Sequence, residues 1–352
     1  MLAQTAAAQS EPAAGRSKRH LPAGFITRTL HNEENNQDYK YAIFVPPQHK
    51  LDPQHRWPVI LFLHGSGECG EDGIRQTTVG LPVFISQHAT QFPFIVVMPQ
   101  AHAMWFRGAE AHTAWRAMAE TIRDYPVDLD RVYITGLSMG GFGAWEMAII
   151  QPDAFAAIIP VCGAAPLDFL SNIAHVPVWA FHGAQDNHVS VNGSRDAIAA
   201  LRKLGGSPKY TEYPAVGHEC WDQAYAEPDL WKWLLAQKRK TPRAIDYRIP
   251  AGASRVWWIA VKADEGLKGP AWVHAEIGAD GQINVQTEGI STWGLVSDKE
   301  PLKPGSEIQV NWNGQVVYRG AFSGSLSVNP TGAHSLTNHP TSAPSASAET
   351  QP

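Results

Sequence analysis

Short apolar runs alternate with amphipathic stretches through the first two thirds of the chain. Residues 41–45, 58–63, 94–98, 131–135, 156–161, 176–181 and 210–213 are compact apolar or alternating runs between turn residues, and each predicts a strand. Residues 113–125, 141–150, 194–204 and 229–237 space their apolar positions at helical intervals, and Gly205–Gly206 after the third suit a helix C-terminus. Strands alternating with helices predict a doubly wound α/β architecture, a mainly parallel sheet with helices on both faces.

The pattern changes past residue 240. Residues 255–261, 271–277, 282–287, 292–296, 308–312 and 315–318 read as short strands without helices between them. Asn313-Gly314 is a strong tight-hairpin signal. This predicts a small all-β domain, a sandwich. The expected organisation is a disordered leader at 1–20, an α/β domain at 21–240, the β domain at 241–323, and a disordered tail rich in Ser, Thr, Pro and Ala at 324–352.

Composition narrows the function. Of 352 residues, 44% are hydrophobic, which is enough for a core. The net charge of −5 and the lack of a basic stripe argue against nucleic-acid binding. No apolar run reaches the roughly 18–20 residues of a membrane span. Cys69, Cys162 and Cys220 are too few for a disulfide scaffold and wrongly spaced for zinc, and the 15 His are scattered, so no metal is expected. The leader has no long apolar stretch and is not an intact signal peptide; export to the periplasm or medium is the expected localisation. The oligomeric state is left open.

The chemistry centres on RVYITGLSMGG at residues 131–141. A predicted strand runs into G-x-S-x-G and a predicted helix follows, the context in which this motif exposes a nucleophilic serine on a strained turn. Ser138 is that candidate. A hydroxyl needs a base, and with this motif the chain order is serine, acid, histidine. Asp186 follows the strand at 176–181, and His218 precedes the last helix. His218 would move the proton and Asp186 would orient the imidazole. The oxyanion would sit against the Met139 N–H and the Ser66 N–H, with Gly67 as the alternative, from the Gly-rich loop after the strand at 58–63. Trp105 and Trp221 are expected to line the substrate subsite beside Gly67.

LHGSGECGEDG, VVMPQ, DRVYITGLSMGGFGAWEMA, VPVWAFHGAQD and EYPAVGHECWD together resemble an α/β-hydrolase-fold serine esterase. They are similar to feruloyl and acetylxylan esterases, polyhydroxyalkanoate depolymerases and phospholipase/carboxylesterases. The resemblance implies hydrolysis of carboxylic esters by Ser138, His218 and Asp186, no cofactor, and a polymer-linked ester as substrate. The link between residues 161 and 176 is too short for a large lid. Relatives tend to carry other residues at Cys69 and Cys220; a disulfide there, or at least a close pair of thiols, would brace the site, the alternative being two unrelated loop cysteines, and a bridge would imply an oxidising compartment. Other readings are a prolyl-oligopeptidase-like peptidase using the same three residues and a non-catalytic or carbohydrate-binding protein. Trp257, Trp258, Trp272, Trp293 and Trp312 would serve the last.

Overall fold

The computed structural model describes residues 24–329 and 334–336, except 34, 51, 53, 106, 107, 250, 251, 265, 267, 268, 270 and 299. The expected leader and most of the expected tail lie outside the described residues. The chain divides into two compact units at the Lys240/Thr241 junction.

The first unit is built on one eight-stranded sheet. In chain order its strands are β1 (Gly24–Asn32), β2 (Gln37–Val45), β3 (Trp57–Leu63), β4 (Ile95–Pro99), β5 (Val127–Leu137), β6 (Ala157–Val161), β7 (Trp179–Gly183) and β8 (Lys209–Tyr213). Their spatial order is β1-β2-β4-β3-β5-β6-β7-β8. β1 pairs antiparallel with β2, and β2 with β4; every later pairing is parallel. β3, β4, β6 and β7 are buried at every position, which explains their unbroken apolar sequences.

Helices cover both faces. Val59, Leu61 and Leu63 of β3 share a core with α2 (Ala109–Asp124), α3 (Met139–Ile150) and α4 (Asn192–Lys203). Ile60 and Phe62, pointing the other way, pack with α1 (Leu81–His88), α5 (Trp221–Tyr225) and α6 (Leu230–Ala236). This is the α/β-hydrolase fold. The link from β6 to β7 carries one short 3-10 helix, Leu167–Ile173.

β1 and α1 are among the elements that escaped the sequence pattern. β1 exposes Phe25, Thr27, Thr29 and His31 on one side and carries Arg28 on the other, so its apolar signal is diluted; Arg28 pairs with Asp124 of α2 at 2.6 Å. α1 is only eight residues long and carries Pro82 in its first turn.

The second unit holds two five-stranded sheets. β10 (Ala253–Val256), β11 (Ile259–Ala263), β14 (Ile290–Val296), β17 (Ser325–Val328) and β18 (His334–Leu336) form one. β16 (Gln315–Ala321), β15 (Glu307–Trp312), β13 (Gln282–Glu288), β12 (Ala271–Ile277) and β9 (Ala244–Ile249) form the other. Tyr247, Val273, Val285 and Val310 of one sheet and Val261, Leu295 and Leu326 of the other share a single core, so the unit is a β-sandwich.

Two sequence expectations are corrected. The run at 255–261 is not one strand but the hairpin β10–β11, turning at Trp257 (φ 53°) and Trp258. No Gly or Asn marks that turn, so periodicity alone missed it. The expected tail at 324–352 begins with a strand: β17 pairs with β14. Its Ser-rich text hides inward-facing Leu326 and Val328, each 1% exposed. The carbohydrate-binding reading of the tryptophans loses Trp258 and Trp293, which are buried in the sandwich core.

Candidate active site

Ser138 sits between the end of β5 and the start of α3, at φ 52° and ψ −118°. A positive φ on a non-glycine residue stores on the order of 1–3 kcal/mol. The strain is held by close packing. A Cβ at Gly140 would lie 2.0 Å from the Leu63 carbonyl oxygen, so only glycine lets α3 start so near β3. The Ser138 N–H donates to the Val161 carbonyl at 3.0 Å and faces Cys162 Sγ at 3.3 Å. Gly141 and Phe142 donate to the Ser138 carbonyl, which places the Met139 N–H in the first helical turn, where no intrahelical acceptor exists.

The acid and the imidazole arrive on neighbouring loops. A Cβ at Gly183 would lie 2.0 Å from the Gly217 carbonyl oxygen, so the loop after β7 and the loop after β8 are in backbone contact. Ala184 donates to the Tyr213 carbonyl and Gln185 to the Val216 carbonyl, each at 2.9 Å. This docking brings three distant residues together. His218 Nε2 lies 2.8 Å from Ser138 Oγ, and His218 Nδ1 lies 2.7 Å from Asp186 Oδ2. Ser138 is partly exposed, and the His218 side chain is 15% exposed.

Asp186 is held from every side. Its Oδ1 accepts the His188 and Val189 N–H groups, both at 2.9 Å. Its Oδ2 also faces His182 Nε2 at 3.1 Å. Burial by itself would raise the carboxyl, but the hydrogen bonds from His218, Val189 and His188 prevail and hold it below its ordinary value. It is therefore ionised at neutral pH. His182 and His188 flank Asp186 in the sequence and come too early in the chain order to be the base; the structure brings the His182 ring and the His188 N–H against the carboxylate instead. The His188 ring lies 5.1 Å from that of His218, and Trp221 stands edge-on to His218 at 5.7 Å.

Ser66 and Gly67 are exposed at the start of a short 3-10 turn, Ser66–Glu68. The loop carrying them is pinned from below. His64 accepts the Ala101 N–H on Nε2 at 3.0 Å and, through Nδ1, donates to the Gly65 carbonyl at 2.6 Å. Gln100 reaches the Glu68 carbonyl and Asp72, and accepts the Gly73 N–H. Trp105 differs from its expected place on the rim. It is fully buried, and its Nε1–H donates to the His64 carbonyl at 2.9 Å. It supports the loop instead of lining a subsite. Its position after the strand was read correctly, but nothing in the sequence told which way the indole turned.

The expected Cys69–Cys220 bridge is absent, because all three cysteines are free thiols. The Cys69 thiol lies 3.4 Å from the Ala103 carbonyl. Cys220 faces the sheet, fully buried, and its thiol is hydrogen-bonded with that of Cys162. Burial, reinforced by Cys220, pushes the Cys162 thiol up. The inference of an oxidising compartment falls with the bridge. Ligand atoms of Cys162, Asp186 and His218 lie within 4.8 Å of one another. Asp186 and His218 are joined there by a hydrogen bond, and Cys162 faces the Ser138 N–H, so the cluster is a hydrogen-bonded chain and not a coordination shell.

Among the described residues no helix is long and apolar enough to cross a membrane. Known proteins share this framework. A probable carboxylesterase of Oryza sativa subsp. japonica is 26% identical over 196 residues, covering 47% of this chain and 82% of its own. A probable acetylxylan esterase A of Neosartorya fischeri is 29% identical over 190 residues, covering 47% of this chain and 50% of its own. The crystal structure of a thermostable esterase superposes with a TM-score of 0.56 at 30% identity, over 61% of this chain and 63% of that one. The chain thus spans half of the acetylxylan esterase and less than two thirds of the thermostable esterase. Residues 49–227, just over half of the 352, match the phospholipase/carboxylesterase family, so the chain belongs to that family of α/β-hydrolase-fold carboxylic ester hydrolases.

Proposed function

We propose that the protein hydrolyses carboxylic esters through Ser138, His218 and Asp186. The observation that carries this reading is the single imidazole joined at one nitrogen to Ser138 Oγ and at the other to Asp186 Oδ2. Ser138 Oγ attacks the ester carbonyl carbon while its proton passes to His218 Nε2. The carbonyl oxygen becomes an oxyanion facing the Met139 N–H and the Ser66 N–H, with Gly67 next to it. As the tetrahedral adduct collapses, the alcohol leaves with the proton from Nε2, and the acyl group stays on Ser138. Water then attacks the acyl carbon, gives a proton to Nε2, and the acid departs as that proton returns to Ser138 Oγ. Asp186 stays ionised throughout, holds the Nδ1–H tautomer and stabilises the imidazolium.

The preferred substrates are acetyl or feruloyl esters pendant on plant polysaccharide, or a related polyester. The acetylxylan esterase relative supports the first, and the short link from β6 to β7 leaves Ser138 reachable by a bulky ester. Trp221 would touch the acyl or sugar group, a reading supported by its ring contact with His218.

The test is Ser138→Ala, assayed on p-nitrophenyl acetate and with a fluorophosphonate label. Hydrolysis falls by at least about 10³-fold and labelling disappears. Activity within tenfold of wild type would remove Ser138 from the reaction. Acetate release from acetylated xylan, or ferulate release from methyl ferulate, checks the substrate class; turnover of aryl esters alone would refute it.

A further inference from the structure

His182 is buried beneath the acid, and none of the steps above uses it. Its ring makes contacts at both nitrogens. Nε2 lies 3.1 Å from Asp186 Oδ2 and 3.1 Å from the Val189 carbonyl oxygen. Both are acceptors, so this nitrogen must carry a hydrogen. Nδ1 lies 2.7 Å from Ser194 Oγ, which is also 3.1 Å from the Gly163 carbonyl. The hydroxyl has one hydrogen and either contact can receive it. With a neutral ring, Ser194 donates to Nδ1 and the Nε2–H tautomer follows.

We infer that His182 is a positioning residue for Asp186. Its Nε2–H supplies the fourth hydrogen bond to a carboxylate that already accepts the His188 N–H, the Val189 N–H and His218 Nδ1–H. A carboxylate offers about four lone-pair sites, so all are filled and the group is fixed in rotation. The same oxygen, Oδ2, serves both imidazoles. Donation from His182 draws charge from that oxygen and moderates its pull on the His218 imidazolium. His182 thus sets both where the acid points and how strongly His218 holds its proton. Burial lowers the His182 proton affinity and its contacts with Val189 and Asp186 raise it, with a net lowering, in keeping with a neutral donor. Other titratable groups around the cluster are His188, Glu212 across from His182 on β8 and paired with Arg195, and the thiols of Cys162 and Cys220.

The inference rests on the proposed reaction, and Ser138→Ala separates the two: inert Ser138 sinks both, whereas the variants below judge His182 alone. His182→Gln keeps an N–H donor near the Nε2 position, and His182→Leu removes it. Expected for Leu is a kcat loss of about 10–100-fold with KM little changed, and an acid limb of kcat/KM displaced upward by about half to one pH unit. The displacement is upward because an under-bonded carboxylate holds the imidazolium more tightly. Gln restores most of kcat and the wild-type limb. A Leu variant with an unmoved limb, or a Gln variant no better than Leu, would overturn the role. If Leu does not fold, imidazole 15N NMR of the wild-type protein decides. His182 protonated at Nε2 supports the inference, and a ring protonated on Nδ1 alone refutes it.

Discussion

Gly140 and Leu63 approach so closely that a Cβ on the glycine would sit 2.0 Å from the leucine carbonyl oxygen. That contact joins the first turn of α3 to the end of β3, and so joins Ser138 to the loop carrying Ser66. Neither backbone can yield without moving the sheet. Gly140→Ala should therefore cost about 1–3 kcal/mol or more in urea denaturation and reduce ester hydrolysis further than stability alone explains. Wild-type rate and stability in this variant would show that the approach is not required.

Asp186→Asn tests the acid. An amide keeps the size of the group but presents an N–H or a weaker acceptor to His218 Nδ1. The imidazole then loses the tautomer that leaves Nε2 free for the Ser138 proton. Expected is a kcat loss of roughly 10³–10⁴-fold with an unchanged fold. A loss below tenfold would mean that another group holds His218.

Trp105→Phe separates support from substrate contact. The ring volume is largely kept, but the donor to the His64 carbonyl is lost. An unsatisfied buried carbonyl costs about 1–3 kcal/mol. The thermal midpoint should fall and kcat should drop as the loop loosens, while the ranking of acetyl, butyryl and feruloyl esters stays unchanged. A reordered ranking would return Trp105 to the subsite.

Two buried histidines set an acid limit on stability. His64 is lowered to about 4 by burial, against which its bond to the Gly65 carbonyl acts only partly, and His182 is lowered too. Both are neutral in the fold, whereas a histidine in the unfolded chain takes up a proton near its model value of 6.5. Between about pH 6.5 and 4 the unfolded state binds more protons, so stability falls as pH falls. For His64 the full effect is on the order of 3 kcal/mol. Urea midpoints measured from pH 7 to 4 should decline through that window, and His64→Gln should flatten the decline. A pH-independent midpoint would contradict a buried neutral His64.

Thiol chemistry distinguishes the observed cysteines from the expected bridge. Cys162 and Cys220 are buried and Cys69 is partly exposed. Ellman's reagent should react with one thiol in the native protein and three after denaturation, without prior reduction. A count of one after denaturation would reveal a disulfide.

Much of the candidate site was legible because its chemistry is written locally. G-x-S-x-G between a strand and a helix needs only neighbouring residues to force Ser138 onto a strained turn. Asp186 and His218 were placed by chain order, since each follows a strand that ends at the same edge of the parallel sheet. What the sequence could not show was the direction of individual side chains. Trp105 and Cys220 both stand near the expected loops, yet both turn inward, because the spaces beneath those loops had to be filled. The loss of signal in β1 and β17 has local causes: β1, at the sheet edge, buries only Leu30 and Asn32, and β17 interleaves its buried Leu326 and Val328 with serines.

The sequence by itself determined the alternation of strands and helices, the break near residue 240 and the residue types able to attack an ester. These follow from local periodicity and from backbone conformations that few residues tolerate. Only the tertiary structure decided that His182 shares an oxygen with His218, that His64 and Gln100 pin the loop carrying Ser66, and that Cys220 meets Cys162 instead of Cys69. Such contacts join residues on separate strands and loops, and their partners are chosen by packing and hydrogen-bond satisfaction across the whole sheet, which no stretch of chain encodes alone.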